Sequence, residues 1–227
     1  MPLIVDRPSV LVAGATGLVG RQLIAQLLAD RHTGIVHALV RRKVHDLPET
    51  PNLLHHRIDL TKPLALPVAR VAYIALGTTI KMAGSQAAFA ANDRDAVERI
   101  AAAAKQAGVV RLAVVSALGA DVKSAVFYNR VKGEMEARLA ALGFERLVIA
   151  RPSLLAGHRE ALGQPIRWGE KLALTLLAPV DRLLPARLRP IAANVVARAM
   201  RRALRSDGPP VQIIESAELQ SLGKARS

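Results

Sequence analysis

Residues 9–30 read SVLVAGATGLVGRQLIAQLLAD, which is an aliphatic run, then a glycine-rich turn, then a longer stretch of helix-forming residues. The pattern predicts a strand over Ser9–Ala13 and a helix over Leu18–Asp30. A glycine motif in isolation is weak, because glycines also end strands for structural reasons alone. Here strand, turn and helix follow one another in the order that a phosphate-binding turn requires.

Each glycine of this turn has its own physical task. Gly14 allows the tight turn after the strand, Gly17 lets the backbone approach a pyrophosphate, and Gly20 lets the helix pack closely on the sheet. The N-terminus of the helix offers free N–H groups and the positive end of its dipole to the phosphates. The turn therefore predicts a dinucleotide site.

The residues after the second predicted strand indicate which dinucleotide is bound. An NAD site has an acidic residue there that accepts from the ribose 2′-hydroxyl, whereas an NADP site has arginine near the 2′-phosphate. This chain has Arg41, Arg42 and Lys43, with no carboxylate before Asp46, and this predicts NADP(H). A merely solvated basic loop is the alternative interpretation. Asp59, after the third predicted strand, is placed to contact the adenine amino group.

The rest of the chain alternates short aliphatic runs with longer helical patterns, which is typical of a parallel α/β sheet. Several runs are apolar at nearly every position, as expected where helices cover both faces of the sheet. We therefore predict an α/β fold, a Rossmann-type doubly wound parallel sheet. The predicted strands are Ser9–Ala13, Ile35–Val40, Leu53–Ile58, Val71–Leu76, Leu112–Ser116 and Leu147–Ala150, and the predicted helices are Leu18–Asp30, one within Ser85–Ala107, and Ser124–Leu142.

After Arg151 the pattern changes to a small segment punctuated by proline and glycine, which we expect on the substrate side of the sheet. It contains an apolar helix near Lys171–Ala178, then a basic helix from Asn194, read as its N-cap, to about Arg205. Val211–Ile214 is expected to form a last edge strand. The arginines of the basic helix are expected on a solvated face, opposite an apolar face.

No repeat, low-complexity linker or break in composition divides the 227 residues. We therefore expect one NAD(P)-binding domain over residues 1–227, with its core in residues 9–150 and a substrate or interface segment in residues 151–223. Trp168 and the apolar helix are the expected lining of the substrate pocket.

Tyr128 and Lys132 are four residues apart, which places them a turn apart on one face of the predicted helix. Ser116 ends the strand before that helix. A phenol is a poor acid–base group at neutral pH, and a nearby ammonium improves it by favouring the phenolate. Tyr128 is expected to protonate a carbonyl oxygen as hydride arrives from the nicotinamide, or to run the reverse, while Lys132 holds the nicotinamide ribose. The alternative is that Tyr128 belongs to an apolar core stripe with Met135 and Leu139.

Composition excludes several other classes of site. The chain has no cysteine, and His55 and His56 would point to opposite faces of a strand, so no metal site is predicted. Aromatic residues make up 3% of the chain, too few for a base-stacking surface. No apolar run approaches the roughly 20 residues that span a bilayer, and no export signal is evident. We therefore expect a cytoplasmic protein without a transmembrane segment.

The net charge is +14, from 32 basic and 18 acidic residues. It has three interpretations: a genome biased toward arginine and alanine, attraction to polyanions such as nucleic acid, or small anionic ligands such as phosphates. Charge alone does not choose among them. The basic residues are spread along the chain rather than gathered in one arm, so direct nucleic-acid binding is the least favoured function.

Five motifs together resemble a known family. They are the glycine turn, LGTT at 76–79, VSALGAD at 115–121, FYNRVKGE at 127–134 and RPSLL at 151–155. In this order they are similar to the atypical short-chain dehydrogenase/reductases of the Tat-interacting-protein-like, NAD(P)-binding and NAD-dependent-epimerase-like family. The resemblance covers residues 10–223 and implies a Rossmann sheet of about seven strands with NADP(H) across its carboxyl edge.

The resemblance also implies positions for single residues. Ser116 and Ala117 would lie behind the nicotinamide. Reductases of this superfamily usually have a catalytic serine or threonine beside the tyrosine, and here the residue after Ser116 is Ala117. A serine role then rests on Ser116 or on Ser124. Asn92 also stands where similar sequences often have valine. The residues expected at the cofactor are Gly14, Thr16, Gly17, Leu18, Val19, Gly20, Arg41, Arg42, Asp59, Leu60, Leu76, Gly77, Thr78, Ser116, Ala117, Tyr128, Lys132, Arg151, Pro152 and Ser153, with Tyr128, Lys132 and Ser116 as the catalytic set.

Two functions follow from these expectations. The first is an NADP(H)-dependent oxidoreductase that acts on a small carbonyl or alcohol. The second is a non-catalytic, NADPH-sensing regulator that binds a protein partner or a second copy of the chain. The altered serine context favours the second function, since it bears more on turnover than on cofactor binding.

Overall fold

The structure is a computed structural model that describes residues 7–42, 44, 46–156, 185 and 187–224. Its central feature is a seven-stranded sheet in the order β3-β2-β1-β4-β5-β6-β9, in which every neighbouring pair is parallel. The first six strands follow the order of a Rossmann fold, in which the strand order reverses between β1 and β4. The predicted Rossmann-type α/β sheet is therefore confirmed.

The strands are short and the helices lie between them along the chain. The strands are β1 (Val10–Ala13), β2 (Val36–Val40), β3 (Leu53–Arg57), β4 (Val71–Ile74), β5 (Arg111–Val115), β6 (Arg146–Arg151), β7 (Leu155–Ala156), β8 (Ile191–Ala192) and β9 (Val211–Glu215). The helices are α1 (Leu18–Leu28), α2 (Ile80–Ala83), α3 (Gln86–Ala90), a π-helical segment (Ala91–Asp95), α4 (Ala96–Gln106), α5 (Phe127–Ala141), α6 (Ala193–Arg205) and α7 (Ser216–Gly223).

Alternate residues of the inner strands β1, β2, β4, β5 and β6 enter two different hydrophobic cores, because side chains of a strand point to opposite faces. Val10 and Val12 of β1 pack with α1 and α6 on one face. Leu11 and Ala13 pack with α4 and α5 on the other. Both faces are covered, which explains why the strand sequences are apolar at successive positions rather than at every second one.

The helix expected within Ser85–Ala107 is confirmed, since α3, the π-helical segment and α4 follow one another without a break from Gln86 to Gln106. The sequence did not predict the wider π-helical turn at Ala91–Asp95 within it. One helix boundary needs correction. The helix expected from Ser124 begins at Phe127, since the Ser124 hydroxyl accepts a hydrogen bond from the Val126 N–H in a turn before the helix.

The C-terminal segment agrees with expectation in part. β9 is an edge strand beside β6, as predicted. Asn194 is not the N-cap of the basic helix, because α6 already begins at Ala193 and Ala192 occupies the cap position. The expected apolar helix near Lys171–Ala178 and Trp168 lie outside the described residues. No helix among the described residues is both long and apolar enough to cross a membrane.

The arginines of α6 are not a simple solvated stripe, which corrects the sequence interpretation. Arg201 binds Asp30 after α1 at 2.6 Å. Arg198 donates to the Gly223 carbonyl at 2.8 Å and Arg202 to the Leu222 carbonyl at 2.6 Å. These contacts tie α6 to α1 and α7.

Candidate functional site

The glycine turn is packed so tightly that side chains are excluded from it. Gly14 has a φ of +81°, and a Cβ there would lie 2.4 Å from the Ala75 carbonyl oxygen beyond β4. A Cβ on Gly20 would lie 2.0 Å from the Gly14 carbonyl oxygen. Both contacts are with backbone, which has no room to move aside. The turn therefore requires glycine at Gly14 for conformation and at Gly20 for close packing.

The first turn of α1 has no side-chain cap. Gly17 occupies the N-cap position with extended backbone, and its own N–H donates to the Gly14 carbonyl at 3.0 Å. The N–H groups that begin a helix have no partner within the helix, and those of Leu18 and Val19 belong to this set. An uncapped helix start beside a turn without side chains fits the phosphates of a dinucleotide.

A cavity of about 830 Å³ lies at the carboxyl ends of β2 and β3, alongside the π-helical segment. Its charged lining is mainly cationic and includes Arg41, which was expected, at one side. Arg42 is exposed and does not line this cavity. The charged side chains around it are Arg41, Arg57, Lys62 and Arg99, together with the carboxylates Asp59 and Asp95.

Sequence reasoning missed Arg57, Lys62 and Arg99. Arg99 comes from α4, far along the chain from β2, and its guanidinium donates to the Lys62 carbonyl oxygen at 3.1 Å. Nothing in the local sequence marks Arg99 as a cavity residue, because only the packing of α4 against the sheet brings it there. Arg57 could have been found, since it stands at the carboxyl end of the third predicted strand.

Asp59 is a preformed acceptor at this cavity. Its carboxylate accepts from the Thr61 hydroxyl at 2.7 Å and from the Thr61 N–H at 2.9 Å. These two hydrogen bonds outweigh desolvation and hold the pKa of Asp59 below its ordinary value. The side chain is therefore ionised at neutral pH and suits an amino group, as the expected adenine contact requires. Leu60 lies beside it in the same lining.

The buried ammonium of Lys132 forms an ion pair with Asp93, with 2.7 Å between Nζ and Oδ1. Both residues are almost fully buried, at 3% and 0% exposure. Asp93 also accepts from the Thr78 N–H at 3.0 Å, which connects the pair to the loop after β4. A buried charge requires such a partner, and the sequence interpretation did not identify Asp93 as the partner of Lys132.

The position of Asp93 explains its absence from the predicted site. It lies in the π-helical segment, whose wider turn is a common feature of functional sites. In the sequence it appears within NDRD, where an ordinary surface helix is the natural interpretation. Gly77 and Thr78 face it from the loop after β4, and a Cβ on Gly77 would meet the Asp93 carboxylate at an ordinary 3.6 Å.

Tyr128 lies in the first turn of α5, one turn before Lys132, as predicted. Its ring is half-buried and lies 5.2 Å from the ring of Phe89 between centroids. Met135 and Leu139, on the same helix, are fully buried, whereas Tyr128 is not. Among the described residues its hydroxyl has no hydrogen-bond partner, so the phenol remains available to a ligand. This arrangement does not match the core-stripe alternative.

Ser116 belongs to a buried polar network instead of standing beside Tyr128 with a free hydroxyl. Its Oγ donates to Glu136 at 2.5 Å, and Glu136 also accepts two hydrogen bonds from Arg151, at 3.0 and 2.6 Å. Arg151 further contacts Glu215 at 3.0 Å. The hydrogen bonds to Glu136, together with the negative charges of Glu136 and Glu215, raise the pKa of Arg151 above its ordinary value. With its proton directed at Glu136, the Ser116 hydroxyl presents lone pairs to any other ligand.

The remaining expected residues also gather near the carboxyl edge of the sheet. Ala117 is buried, and the Pro152 carbonyl accepts from the Leu118 N–H at 3.0 Å, which joins the loops after β5 and β6. Ser153 is already engaged, since its hydroxyl donates to the Arg189 carbonyl at 2.5 Å and accepts from Ser216 at 2.9 Å. The contacts of Ser153 hold β7 and β8 together rather than leaving it open to a ligand.

Two histidines of neighbouring strands form a hydrogen-bonded pair. His37 of β2 and His56 of β3 share a hydrogen bond of 2.9 Å between ring nitrogens. No group of three or more potential metal ligands occurs within the described part of the chain.

Comparison with known proteins identifies the family. Residues 14–154 match the sequence model of a family described as NAD(P)H-binding. The mitochondrial protein FMP52 of Eremothecium gossypii is 34% identical over 94% of this chain and 96% of its own length. The HTATIP2 protein of Rattus norvegicus is 32% identical over 95% of this chain and 89% of its own.

Solved structures agree on the fold alone. The ADP-L-glycero-D-manno-heptose-6-epimerase of Helicobacter pylori superposes with a TM-score of 0.69 at 14% identity, covering 92% of this chain and 77% of that protein. MoeE5, solved with UDP-glucuronic acid and NAD, gives 0.66 at 19% identity, covering 91% and 75%.

The comparisons also correct one expectation and confirm another. Several FMP52 relatives are named as mitochondrial proteins, so the expected cytoplasmic location is wrong. The lack of an apolar export signal does not distinguish the cytoplasm from an organelle. The resemblance drawn from the five motifs is confirmed. The chain belongs to the NAD(P)H-binding family, among the relatives of FMP52 and HTATIP2.

Proposed function

We propose that this protein is an NADP(H)-dependent oxidoreductase that transfers hydride to or from a small carbonyl or alcohol. One observation carries the proposal. The glycine turn, the cationic cavity and the Tyr128 hydroxyl, one helical turn from the buried Lys132–Asp93 pair, all lie at the carboxyl edge of one parallel sheet. Ligands of open α/β sheets bind at this edge, where the strand order reverses.

The preference for NADP(H) rests on charge. Four basic side chains line the cavity at the ends of β2 and β3, against two carboxylates. A ribose phosphate is doubly charged near neutral pH and is attracted to guanidinium groups, which bind it with two parallel hydrogen bonds. The Arg41 guanidinium makes only a long contact of 3.4 Å with Asn92 and so has donors to spare. Arg41 is the residue on which we base the preference.

Tyr128 is the proposed acid–base group. A bound nicotinamide supplies or accepts the hydride, and the Tyr128 hydroxyl gives a proton to the substrate oxygen or takes one from it. One of the three N–H donors of Lys132 is directed at Asp93, and this ion pair fixes the position of the ammonium group. Its other two donors remain for the ribose and for the neighbourhood of the phenol.

The second candidate function is a non-catalytic, NADPH-sensing regulator with a protein partner. The observation in its favour is that Asp93 neutralises Lys132 while Glu136 accepts the hydrogen bond that the Ser116 hydroxyl donates. Both contacts weaken the activation of Tyr128 without disturbing the glycine turn. Cofactor binding without turnover is the behaviour that this arrangement would produce.

Nucleotide titrations followed by NADPH fluorescence test the cofactor assignment. We expect tighter binding of NADPH than of NADH, and Arg41→Asp should reduce the ratio by about 10-fold or more, since it replaces an attraction with a repulsion. Arg42→Asp is the matched control, because Arg42 is exposed outside the cavity, and it should have a much smaller effect. If both nucleotides bind equally before and after Arg41→Asp, the assignment is wrong.

A panel of small aldehydes, ketones and alcohols separates the two functions. Turnover that Tyr128→Phe abolishes, with NADPH affinity retained, supports the oxidoreductase. Tight NADPH binding without turnover across the panel supports the sensor. Loss of binding to every pyridine nucleotide would remove the basis of both.

A further inference from the structure

A second cavity, of about 310 Å³, lies at the opposite edge of the sheet from the glycine turn. It is formed at the amino ends of β1, β4 and β5, between the end of α1 and the C-terminal half of α6. Val71, the first residue of β4, lines it, whereas Ala75, just past the last residue of β4, contacts the glycine turn. The first cavity lies at the carboxyl ends of the strands and the second at their amino ends. The proposed function does not involve the second cavity.

The lining of this second cavity combines an apolar floor with arginines. Valines and leucines of β1, β4, α1 and α6 supply the apolar surface, as is usual for small-molecule sites. The arginines are Arg70, Arg111, Arg201 and Arg205, and the carboxylates are Asp30 and Glu145, with His32 at the margin. Cations therefore outnumber anions around a partly apolar space.

Tyr73 is the most unusual member of the lining. Its side chain is only 3% exposed, and the charged groups that act on its phenol are Arg201, Arg205 and Asp30, all of which line the same cavity. Burial, partly offset by the two arginines, raises the pKa of Tyr73 to about 12, so the hydroxyl is a protonated donor. Within the described residues this hydroxyl has no hydrogen-bond partner. Tyr73 lines the cavity, so this donor is available to a ligand there.

The arginines differ in how far their donors are already used. Asp30 binds both Arg201, at 2.6 Å, and Arg205. Arg111 donates one N–H to the Leu204 carbonyl at 3.2 Å and keeps the others. The side chain of Arg70 has no ion pair or hydrogen bond to any described residue. Arg70, just before β4, and Tyr73, the third residue of β4, thus both offer unused donors to the cavity.

We propose that this cavity is a binding site for a small organic anion, with a carboxylate or phosphate group that accepts from Tyr73 and Arg70 and a compact apolar body on the aliphatic floor. Glu145, an exposed carboxylate of the lining, also has no partner among the described residues, but the guanidinium groups of Arg70 and Arg111 and the Tyr73 hydroxyl outnumber it as available donors, and this balance favours an anion. The site is independent of the nucleotide, and its test needs no turnover.

The experiment uses 4-fluorobenzoate and its neutral counterpart 4-fluorobenzamide, observed by ¹⁹F NMR with the full-length protein. The benzoate should bind saturably and the benzamide should not. Tyr73→Phe removes one hydroxyl and Arg70→Met one exposed cation, and each should raise the Kd of the benzoate by about 10-fold. Arg99→Met, in the nucleotide cavity, is the matched control and should leave the Kd unchanged.

Each other outcome decides against the site. If the benzamide binds as tightly as the benzoate, the cavity is an apolar pocket without anion recognition. If Arg99→Met weakens benzoate binding, the benzoate occupies the cavity at the ends of β2 and β3 instead. Equal binding by all variants, or none at all, also overturns the proposal. Phenyl phosphate competition identifies the anion: stronger displacement than by unlabelled benzoate assigns a phosphate ligand, and weaker displacement a carboxylate. Arg70→Met changes an exposed side chain, so the test stands even if Tyr73→Phe impairs folding.

Discussion

Asp93 connects local sequence to the chemistry of the proposed site. The carboxylate is fully buried and contacts Lys132 and the Thr78 N–H together. A buried ion pair contributes little net stability, because desolvation of both charges offsets their attraction, but removal of one partner is costly. Asp93 is therefore a positioning residue that fixes the ammonium beside the proposed cofactor.

Asp93→Asn should lower the free energy of unfolding by about 3 kcal/mol, because it leaves the Lys132 charge buried while still accepting from Thr78. Adding Lys132→Met in the same chain should recover at least about 1 kcal/mol. Urea unfolding measures both changes. Asp95→Asn is the control, since that partly exposed carboxylate should cost about 1 kcal/mol or less. An equal loss from Asp93→Asn and Asp95→Asn would contradict the role of the buried pair.

The π-helical segment is the element on which the proposed site depends. An α-helix continued from α3 into α4 would rotate Asp93 away from its present direction, since each added residue turns the chain by about 100°. The same segment carries Asn92, which contacts Arg41 at 3.4 Å. This one irregular turn thus supplies Asp93 to the ion pair with Lys132 and also lines the cationic cavity.

The pairing of β2 with β3 has a consequence for pH. Burial and then the charge of His56 lower the pKa of His37, while burial and then His55 lower the pKa of His56. Histidines whose pKa is lower in the folded state than in the unfolded state bind protons preferentially after unfolding. Their neutral forms are therefore favourable to the fold at higher pH, and stability is lost as the pH falls below about 6.5, the ordinary histidine value.

We expect the free energy of unfolding to fall between pH 7.5 and 5, and His37→Asn to reduce the size of that fall. His56→Asn should act in the same direction, and the double variant should add little, because the two rings share one hydrogen bond. Guanidinium unfolding at a series of pH values measures this. A pH dependence identical to that of the unaltered protein in both single variants would show that the pair does not contribute.

At the scale of the whole molecule, helix α6 covers part of one face of the sheet and forms one side of the second cavity. Its buried residues share a core with α1 and with alternate residues of the inner strands. Two of its arginines, Arg201 and Arg205, converge on Asp30 just after α1. Backbone and guanidinium contacts outweigh burial and lower the pKa of Asp30, so it is ionised at neutral pH. Asp30 both joins α6 to the N-terminal half and occupies two of the arginines around the cavity.

Asp30→Asn should therefore have two opposite effects. Stability should fall by about 1 to 2 kcal/mol through the loss of charge-assisted hydrogen bonds, while 4-fluorobenzoate should bind more tightly because Arg201 and Arg205 are released. Asp46→Asn, which removes an exposed partner of Arg21, is the control and should change neither quantity by as much. Weaker benzoate binding in Asp30→Asn would contradict this account of the cavity.

The sequence by itself determined the sheet and the glycine turn. Apolar runs at strand spacing and the glycines at 14, 17 and 20 are local patterns, and local geometry fixes what they form. The spacing of Tyr128 and Lys132 likewise follows from one helix. The family motifs added the resemblance to the NAD(P)-binding family, which the comparisons confirm.

Only the tertiary structure decided which charges meet. Asp93 contacts Lys132 although about 40 residues of chain separate them, and Arg201 binds Asp30 although 171 residues separate them. Arg99 lines a cavity at the ends of β2 and β3, although it belongs to α4. The physical reason is that side-chain pairing depends on distances in space. Secondary-structure periodicity sets the face of an element, but the packing of one element on another sets the partner that this face meets.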